Sequence, residues 1–212
     1  MSSFEPQAPG FSWGEVRPPR SDDGVSLLAA LGERVPGAVL ELGPGTGERA
    51  AFILRSFPAA DYLGIEPSAA LLRASRGALA TFAERAAVEG RNLAIPLPLE
   101  STSADLALCL DLLEYLRMDE LYMLISECRR ILRDGSVCIF RCLSYGPGWK
   151  GNLAATSRTW FPRYYQGARP LEITHYFSPE DWRVVHEARV TEGWLTRQTA
   201  VLERLPALSA KE

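Results

Sequence analysis

The sequence has no long apolar run. Nothing approaches the ~20 consecutive apolar residues that a membrane helix requires, so no membrane partner is expected. It has no excess of positive charge: 23 Lys and Arg stand against 26 Asp and Glu, a net charge of −3. Bulk attraction for nucleic-acid phosphate is thereby excluded, and a nucleic-acid partner is not expected. The opening residues, MSSFEPQAPGFSWGEVRPPR, show no basic start followed by an apolar stretch, so no secretory signal is expected. Cysteine occurs at Cys109, Cys128, Cys138 and Cys142, without a CxxC pair. Reduced thiols and a cytoplasmic location are the expectation. Cys138 and Cys142 would lie about 13 Å apart on a strand rising ~3.3 Å per residue. Zinc–sulfur bonds of ~2.3 Å cannot span that gap, so no metal site is expected. Histidine is confined to His175 and His186.

What is present is an ordinary globular balance, 47% hydrophobic and 23% charged over 212 residues, enough for one domain with a full core. Residues 1–20 carry four prolines and read as an extended arm. Residues 21–212 read as a single domain. Asp22 or Asp23 caps a short helix, Gly24 to Leu31. Ala38-Val39-Leu40-Glu41-Leu42 is a buried strand running into Gly43-Pro44-Gly45-Thr46-Gly47, and helical spacing follows from Glu48 to Phe57. Asp61 to Ile65 is a second strand, and Ser68 caps an alanine-rich helix, Ala69 to Val88. Leu93-Ala94-Ile95 reads as a third strand, Ala104 to Leu110 as a fourth. Met118 to Leu132 is an amphipathic helix. Asp134-Gly135 turns the chain into a fifth strand, Ser136 to Cys142.

This alternation predicts an α/β fold: a doubly wound, mainly parallel sheet with helices on both faces. Residues 143–177 break the rhythm and are long for a connection, which predicts an inserted lid. Ser178-Pro179-Glu180-Asp181 reads as the start of a last helix containing His186. Two strand-like runs close the chain, around Val190–Leu195 and Gln198–Glu203, and an antiparallel C-terminal edge strand is expected.

The glycine turn after the first strand presents amides at a helix start, at the strands' carboxyl ends. Nineteen residues beyond Gly47, Glu66 ends the second strand, where a carboxylate accepts hydrogen bonds from a ribose diol. The spacing is G-x-G-x-G, whereas a dinucleotide site wants G-x-G-x-x-G. Glu41 just before the loop disfavours a pyrophosphate and suits a cationic ammonium or sulfonium, which points to S-adenosylmethionine. The bland alternative is a glycine turn that merely closes a strand–helix junction.

Val39 through Gly47 (VLELGPGTG) resembles the signature loop of the class I S-adenosylmethionine-dependent methyltransferases. Ile65-Glu66-Pro67-Ser68 resembles that family's second-strand motif. Leu97 to Leu99 and Ala104 to Leu116 resemble its fourth strand with flanks, and Arg130 to Ser136 its turn into the fifth. His175 to Trp182 is similar to the late segment of its small-molecule members. The resemblance covers about residues 38–190. It implies a Rossmann-like fold and S-adenosylmethionine as cofactor, with Gly43, Pro44, Gly45 and Gly47 on the methionine portion and Glu41 near its ammonium. Glu66 would hold the ribose, Pro67 would pack near adenine, and Leu110 and Asp111 would border the methyl. Many relatives place an Asp after Gly at the third strand; here Gly90-Arg91-Asn92 offers Asn92 as the acceptor for the adenine amino group. Relatives often carry His where this chain has Tyr115.

Methyl transfer from a sulfonium needs alignment and exclusion of water more than a protein nucleophile. His175, Asp111 and Glu114 are the candidates for taking the acceptor's proton. Tyr115, Arg141, Tyr145, Trp149, Tyr164, Tyr165 and Tyr176 are candidates for binding a small-molecule acceptor. Arg141 either meets an acidic acceptor or pairs with a nearby carboxylate. Methylation at O, N or C is left open by the sequence, as is the oligomeric state. The alternatives are a non-catalytic S-adenosylmethionine-binding partner subunit and a nicotinamide-dependent oxidoreductase.

Overall fold

Short apolar runs alternating with helices build the sheet that the rhythm predicts. The structure, a computed structural model, describes residues 2–3, 28–91, 94–97, 99–146, 168–192 and 195–206. The strands are β1 (Ser2–Ser3), β2 (Ala38–Leu42), β3 (Asp61–Ile65), β4 (Ala86–Glu89), β5 (Ala94–Ile95), β6 (Ala104–Leu110), β7 (Leu132–Ser144), β8 (Trp182–Glu192) and β9 (Leu195–Arg204). The helices are α1 (Glu48–Ser56), α2 (Ala69–Ala78) and α3 (Met118–Ile131), with a further helical turn at 28–31. Seven strands form one sheet in the order β4-β3-β2-β6-β7-β9-β8. β4, β3, β2, β6 and β7 pair in parallel, and β9 runs antiparallel to both its neighbours.

The period-2 alternation of the strands sends successive side chains to opposite faces. Leu40, Leu42, Ala107, Cys109, Cys138 and Phe140 pack on one side with Leu121, Leu124, Ile125, Cys128 and Ile131 of α3. Val39, Tyr62, Leu106, Leu108, Val137 and Ile139 pack on the other with Ala50, Ile53 and Leu54 of α1. Each fully buried aliphatic side chain contributes roughly 1.5–3 kcal/mol. Burying both faces is what keeps the central strands apolar throughout.

Five expectations are corrected. The alanine-rich segment does not stay helical to Val88: α2 ends at Ala78, and Ala86–Glu89 becomes the sheet's third parallel strand and its edge. Helix propensity is overridden by Arg85, whose guanidinium donates to the carbonyls of Leu54, Phe57 and Ala60 and fixes the chain at the mouth of β4. Ala94–Ile95, expected in that sheet, instead pairs antiparallel with Ser2–Ser3; Leu93 lies outside the described residues. Ser178–Asp181 starts no helix. It forms a turn, with Asp181 N–H and Trp182 N–H both donating to Ser178 O, and β8 follows at once. A helix cap is local chemistry, whereas Trp182–Glu192 gains a ladder with β9 over almost its whole length. His186 is therefore an exposed strand residue. Asp134-Gly135 lies inside β7 as a bulge, with Gly135 at φ 78° and the register jumping from Ala104/Leu132 to Leu106/Val137. Finally, the antiparallel C-terminal strand β9 sits inside the sheet and β8 takes the edge.

The β4-to-β6 connection holds no α-helix among the described residues. Leu40, Leu63 and Ala87 are register partners in one row across β2, β3 and β4. Leu40 is buried, Leu63 half-buried and Ala87 exposed. A cavity of about 320 Å³ opens along this row, bounded also by Arg85, Leu99 and Ser103. It lies toward the strand starts, away from the glycine loop at the strand ends.

Candidate functional site

The glycine loop is built by backbone geometry. Gly43, Gly45 and Gly47 all have positive φ, at 72°, 63° and 82°, which L-residues with a Cβ adopt only at a cost. Gly43 N–H donates to Ile65 O at 2.9 Å, tying the loop to the end of β3. At Gly47 there is no room either: a Cβ would sit 2.8 Å from the Ser75 Cα of α2. Gly64 in β3 lets Pro44 lie against the sheet, since a Cβ there would meet the Pro44 ring at 3.0 Å. The Thr46 Oγ1 is buried without a hydrogen-bond partner. An orphaned hydroxyl beside left-handed amides is a fit for a polar ligand end.

Glu66 faces this loop. Its Oε2 accepts from Gly45 N–H at 2.9 Å and its Oε1 from Ser68 N–H at 2.8 Å. Each oxygen keeps a second acceptor position. Burial pushes the Glu66 carboxyl above its ordinary value, and the two amides pull against that rise. Pro67 follows immediately, at the same strand end.

Glu41 is fully buried beneath the loop, on the α1 face of the sheet. Its Oε1 takes Arg49 Nε at 2.7 Å and its Oε2 takes the Tyr62 hydroxyl at 2.6 Å. Burial and the Glu41 carboxylate push the Tyr62 phenol well above its ordinary range. Thus Glu41 pins α1 to β3 directly under the glycines. Sequence reading missed both Arg49 and Tyr62, because their link to Glu41 exists only once β2, β3 and α1 stack.

Across the crevice, β6 ends at Leu110, which is buried, and the chain turns through Asp111 at φ 60°. The Asp111 carboxylate is held by Arg141 of β7 through Nε and Nη2 and by Arg197 of β9 at 3.2 Å. Of the two roles open for Arg141, the structure shows the pairing with a neighbouring carboxylate. Arg197 gave no sequence signal: it reaches the site because the β7–β9 register sets it opposite Leu143.

Glu114 lies three residues beyond Asp111, in the single turn Leu113–Tyr115. It is buried, and its Oε2 has no hydrogen-bond partner. Burial first and the Asp111 charge second push its carboxyl up to about 8, with Arg197 and Arg141 opposing. Asp111, Glu114, Arg141 and Arg197 therefore form one charged cluster at the ends of β6, β7 and β9.

The remaining candidates distribute around it. Tyr115 is half-buried in the same turn as Glu114. Tyr145 follows β7 and is 40% exposed. Tyr176 stacks edge-on against Tyr122 at 5.9 Å. His175 is exposed, in the short turn Ile173–Tyr176, and its charge bears on Glu187 of β8. Asn92, Trp149, Tyr164 and Tyr165 lie outside the described residues. So do 4–20 of the expected arm and 147–167 of the expected lid, while Leu143 and Ser144 belong to β7. The four cysteines are buried thiols. No helix among the described residues is long and apolar enough to cross a membrane.

Comparison with known proteins agrees with this geometry. Residues 40–138 match a family model described as a methyltransferase domain. A malonyl-[acyl-carrier protein] O-methyltransferase of Methylococcus capsulatus is 31% identical over 123 residues, 55% of this chain and 42% of that protein. The chain thus spans less than half of that relative's length. Among solved structures, geranyl diphosphate C-methyltransferase from Streptomyces coelicolor A3(2) superposes with a TM-score of 0.71 at 13% identity, covering 87% of this chain and 79% of that one. The cyclase SpnF superposes with a TM-score of 0.68 at 14% identity, covering 95% and 89%. At such identities the structural likeness shows the fold. The matched domain, this sheet order and this glycine loop together make the chain similar to the class I S-adenosylmethionine-dependent methyltransferases.

Proposed function

We propose that this chain transfers a methyl group from S-adenosylmethionine to a small-molecule acceptor. The observation that carries the reading is the pairing of Gly45 N–H with Glu66 Oε2 at 2.9 Å. It joins a left-handed glycine loop to a buried carboxylate at the ends of adjacent parallel strands. S-adenosylmethionine supplies, when bound, a methyl on a cationic sulfur that needs no further activation. Gly43, Pro44, Gly45 and Gly47 let the backbone lie close against its amino-acid end, and the orphaned Thr46 hydroxyl hydrogen-bonds that end. Glu66 uses its second acceptor positions for the ribose hydroxyls, Pro67 packs beside the adenine, and Asn92 accepts from the adenine amino group. Glu41 acts from below: its charge is neutralised by Arg49, and it holds the loop's floor rigid.

Leu110 and Asp111 border the methyl site. Asp111 is already engaged by two arginines, so it organises charge rather than taking a proton. Glu114 is the better base in this reading. Its unpartnered Oε2 accepts the proton that an acceptor hydroxyl or amine gives up as its lone pair forms the new bond to carbon. Residues Tyr115, Tyr145 and Tyr176, with Trp149, Tyr164 and Tyr165, complete the acceptor side. His175 is a second candidate base only if the acceptor reaches the exposed turn.

Calorimetry with S-adenosylhomocysteine and with NADH tests the donor. Micromolar binding of the first and none of the second supports the reading; the reverse sinks it. Tritium from labelled donor appearing in a pool of extracted metabolites tests transfer. Binding without transfer to any pool would favour a donor-binding subunit instead. The superposing cyclase makes that arm informative, since this fold is shared by proteins of different description.

A further inference from the structure

The segment 168–171 straps the sheet's carboxyl edge. Arg169 N–H donates to Glu114 O at 2.9 Å, and Leu171 N–H donates to Leu143 O at 2.8 Å. Ala168 and Leu171 are buried, so the backbone of Arg169 is fixed between the Glu114 turn and the end of β7. Its side chain is half-buried. The Nε and Nη2 atoms of the guanidinium are both buried and have no hydrogen-bond partner.

That pair of atoms is the side-on edge of the guanidinium, the one that grips two oxygens at once. This protein shows what the edge does when occupied: Arg130 donates from Nε and Nη2 to the two oxygens of Glu127, at 2.7 and 2.9 Å. Arg141 turns the same edge to Asp111. Arg169 has the edge without the carboxylate. Glu120, an acid that bears on its charge, is committed to the Arg117 backbone N–H at 2.7 Å. Tyr176 and Tyr145, two residues of the acceptor side, also act on the Arg169 charge. Leaving two buried guanidinium donors unpaired costs free energy that a bound anion would recover.

We propose that the Nε–Nη2 edge of Arg169 seats an oxyanion of the acceptor, a carboxylate or a phosphate, held side-on beside Tyr145 and Tyr176. The proposal rests on the methyltransferase reading and names its substrate class: an acceptor that carries an anionic group a short distance from the atom to be methylated. Arg141 and Arg197 do not serve this purpose, because Asp111 already occupies them. Arg169 orients the acceptor, and Glu114, one hydrogen bond away along the backbone, faces its reacting proton.

The test is calorimetric and uses the full chain. Benzoate and phenyl phosphate are titrated with and without saturating S-adenosylhomocysteine, and benzyl alcohol is the uncharged control. At least one anion is expected to bind about ten-fold tighter than the alcohol. Arg169→Gln should remove that margin while leaving S-adenosylhomocysteine affinity unchanged. Arg169→Lys, which keeps the charge but not the fork, should restore only part of it, and serves if the Gln variant fails to fold. Preference for benzoate marks a carboxylate acceptor, and preference for phenyl phosphate a phosphorylated one. Equal anion affinity in wild type and Arg169→Gln overturns the proposal, as does a wild type that binds neither anion. If S-adenosylhomocysteine fails to bind while Arg169-dependent anion binding persists, the donor reading falls and the anion seat stands.

Discussion

Asp111 and Arg141 hold each other twice. The Arg141 Nε lies 3.1 Å from both Asp111 carboxylate oxygens, and the Asp111 N–H donates to the Arg141 carbonyl at 2.7 Å. The ends of β6 and β7 are thereby locked in register where Asp111 adopts φ 60°. A strained residue held by its surroundings at a strand end is a common mark of a functional site.

Asp111→Ala removes the carboxylate and puts a Cβ-bearing residue in a left-handed conformation with no side chain to support it. It should destabilise the protein by roughly 2–4 kcal/mol, combining a lost charged pair with backbone strain. Asp111→Gly relieves the strain but not the pairing and should lose less. Urea unfolding of the three proteins ranks them; equal losses for Ala and Gly would show that the conformation costs nothing.

Glu114→Gln should change how stability depends on pH. The native carboxyl titrates at about 8 against an ordinary value of 4.5. Between those values the native state binds more protons than the unfolded state, so stability falls as pH rises from about 4.5 through about 8. The Gln variant lacks this decline. Relative to their difference at pH 4.5, the variant should gain on the order of 4 kcal/mol by pH 9. In a transfer assay the wild-type rate should rise through about pH 8 and the variant's should not. Parallel stability curves would show that Glu114 is not held neutral.

Gly43→Ala and Gly47→Ala separate conformation from space. Both sites have positive φ, but a Cβ at Gly43 meets nothing nearer than Leu112 at 3.6 Å, whereas at Gly47 it strikes the Ser75 backbone at 2.8 Å. Gly43→Ala should cost about 1–2 kcal/mol of stability. Gly47→Ala should cost more, since α1 or α2 must shift. Thermal unfolding distinguishes them, and calorimetry should show weakened S-adenosylhomocysteine binding in the folded Gly43 variant.

Glu66→Ala should weaken S-adenosylhomocysteine by roughly 1–3 kcal/mol, through lost charged hydrogen bonds and a freed Gly45 amide. Glu41→Ala should cost folding stability instead, about 3–5 kcal/mol, because the Arg49 guanidinium is left charged inside the protein. If Glu41→Ala leaves stability intact but abolishes ligand binding, its carboxylate contacts the donor directly.

Much of the sheet was legible because its signal is local. Ala38–Leu42 and Ala104–Leu110 are apolar runs bounded by turn residues, and the structure places them as adjacent central strands. Met118–Ile131 shows its buried face at helical spacing, and that face packs on the sheet. The segments misread were those where a distant partner outbids local preference. Ala86–Glu89 is rich in helix-forming alanine but gains a ladder with β3 and an Arg85 clamp. Trp182–Glu192 follows a good helix cap but gains a ladder with β9.

By itself the sequence determined that a glycine turn follows a buried strand, that an acid ends the next one, and that the rhythm between them is parallel α/β. Those facts depend on neighbours within a few residues. Tertiary structure alone decided what the charges do. Glu41 was turned inward to Arg49, Asp111 was handed to arginines 30 and 86 residues away, and the Oε2 of Glu114 and the Nε and Nη2 of Arg169 were left buried without hydrogen-bond partners. Charge pairing is set by distance in space, and only the sheet order brings those strand ends together.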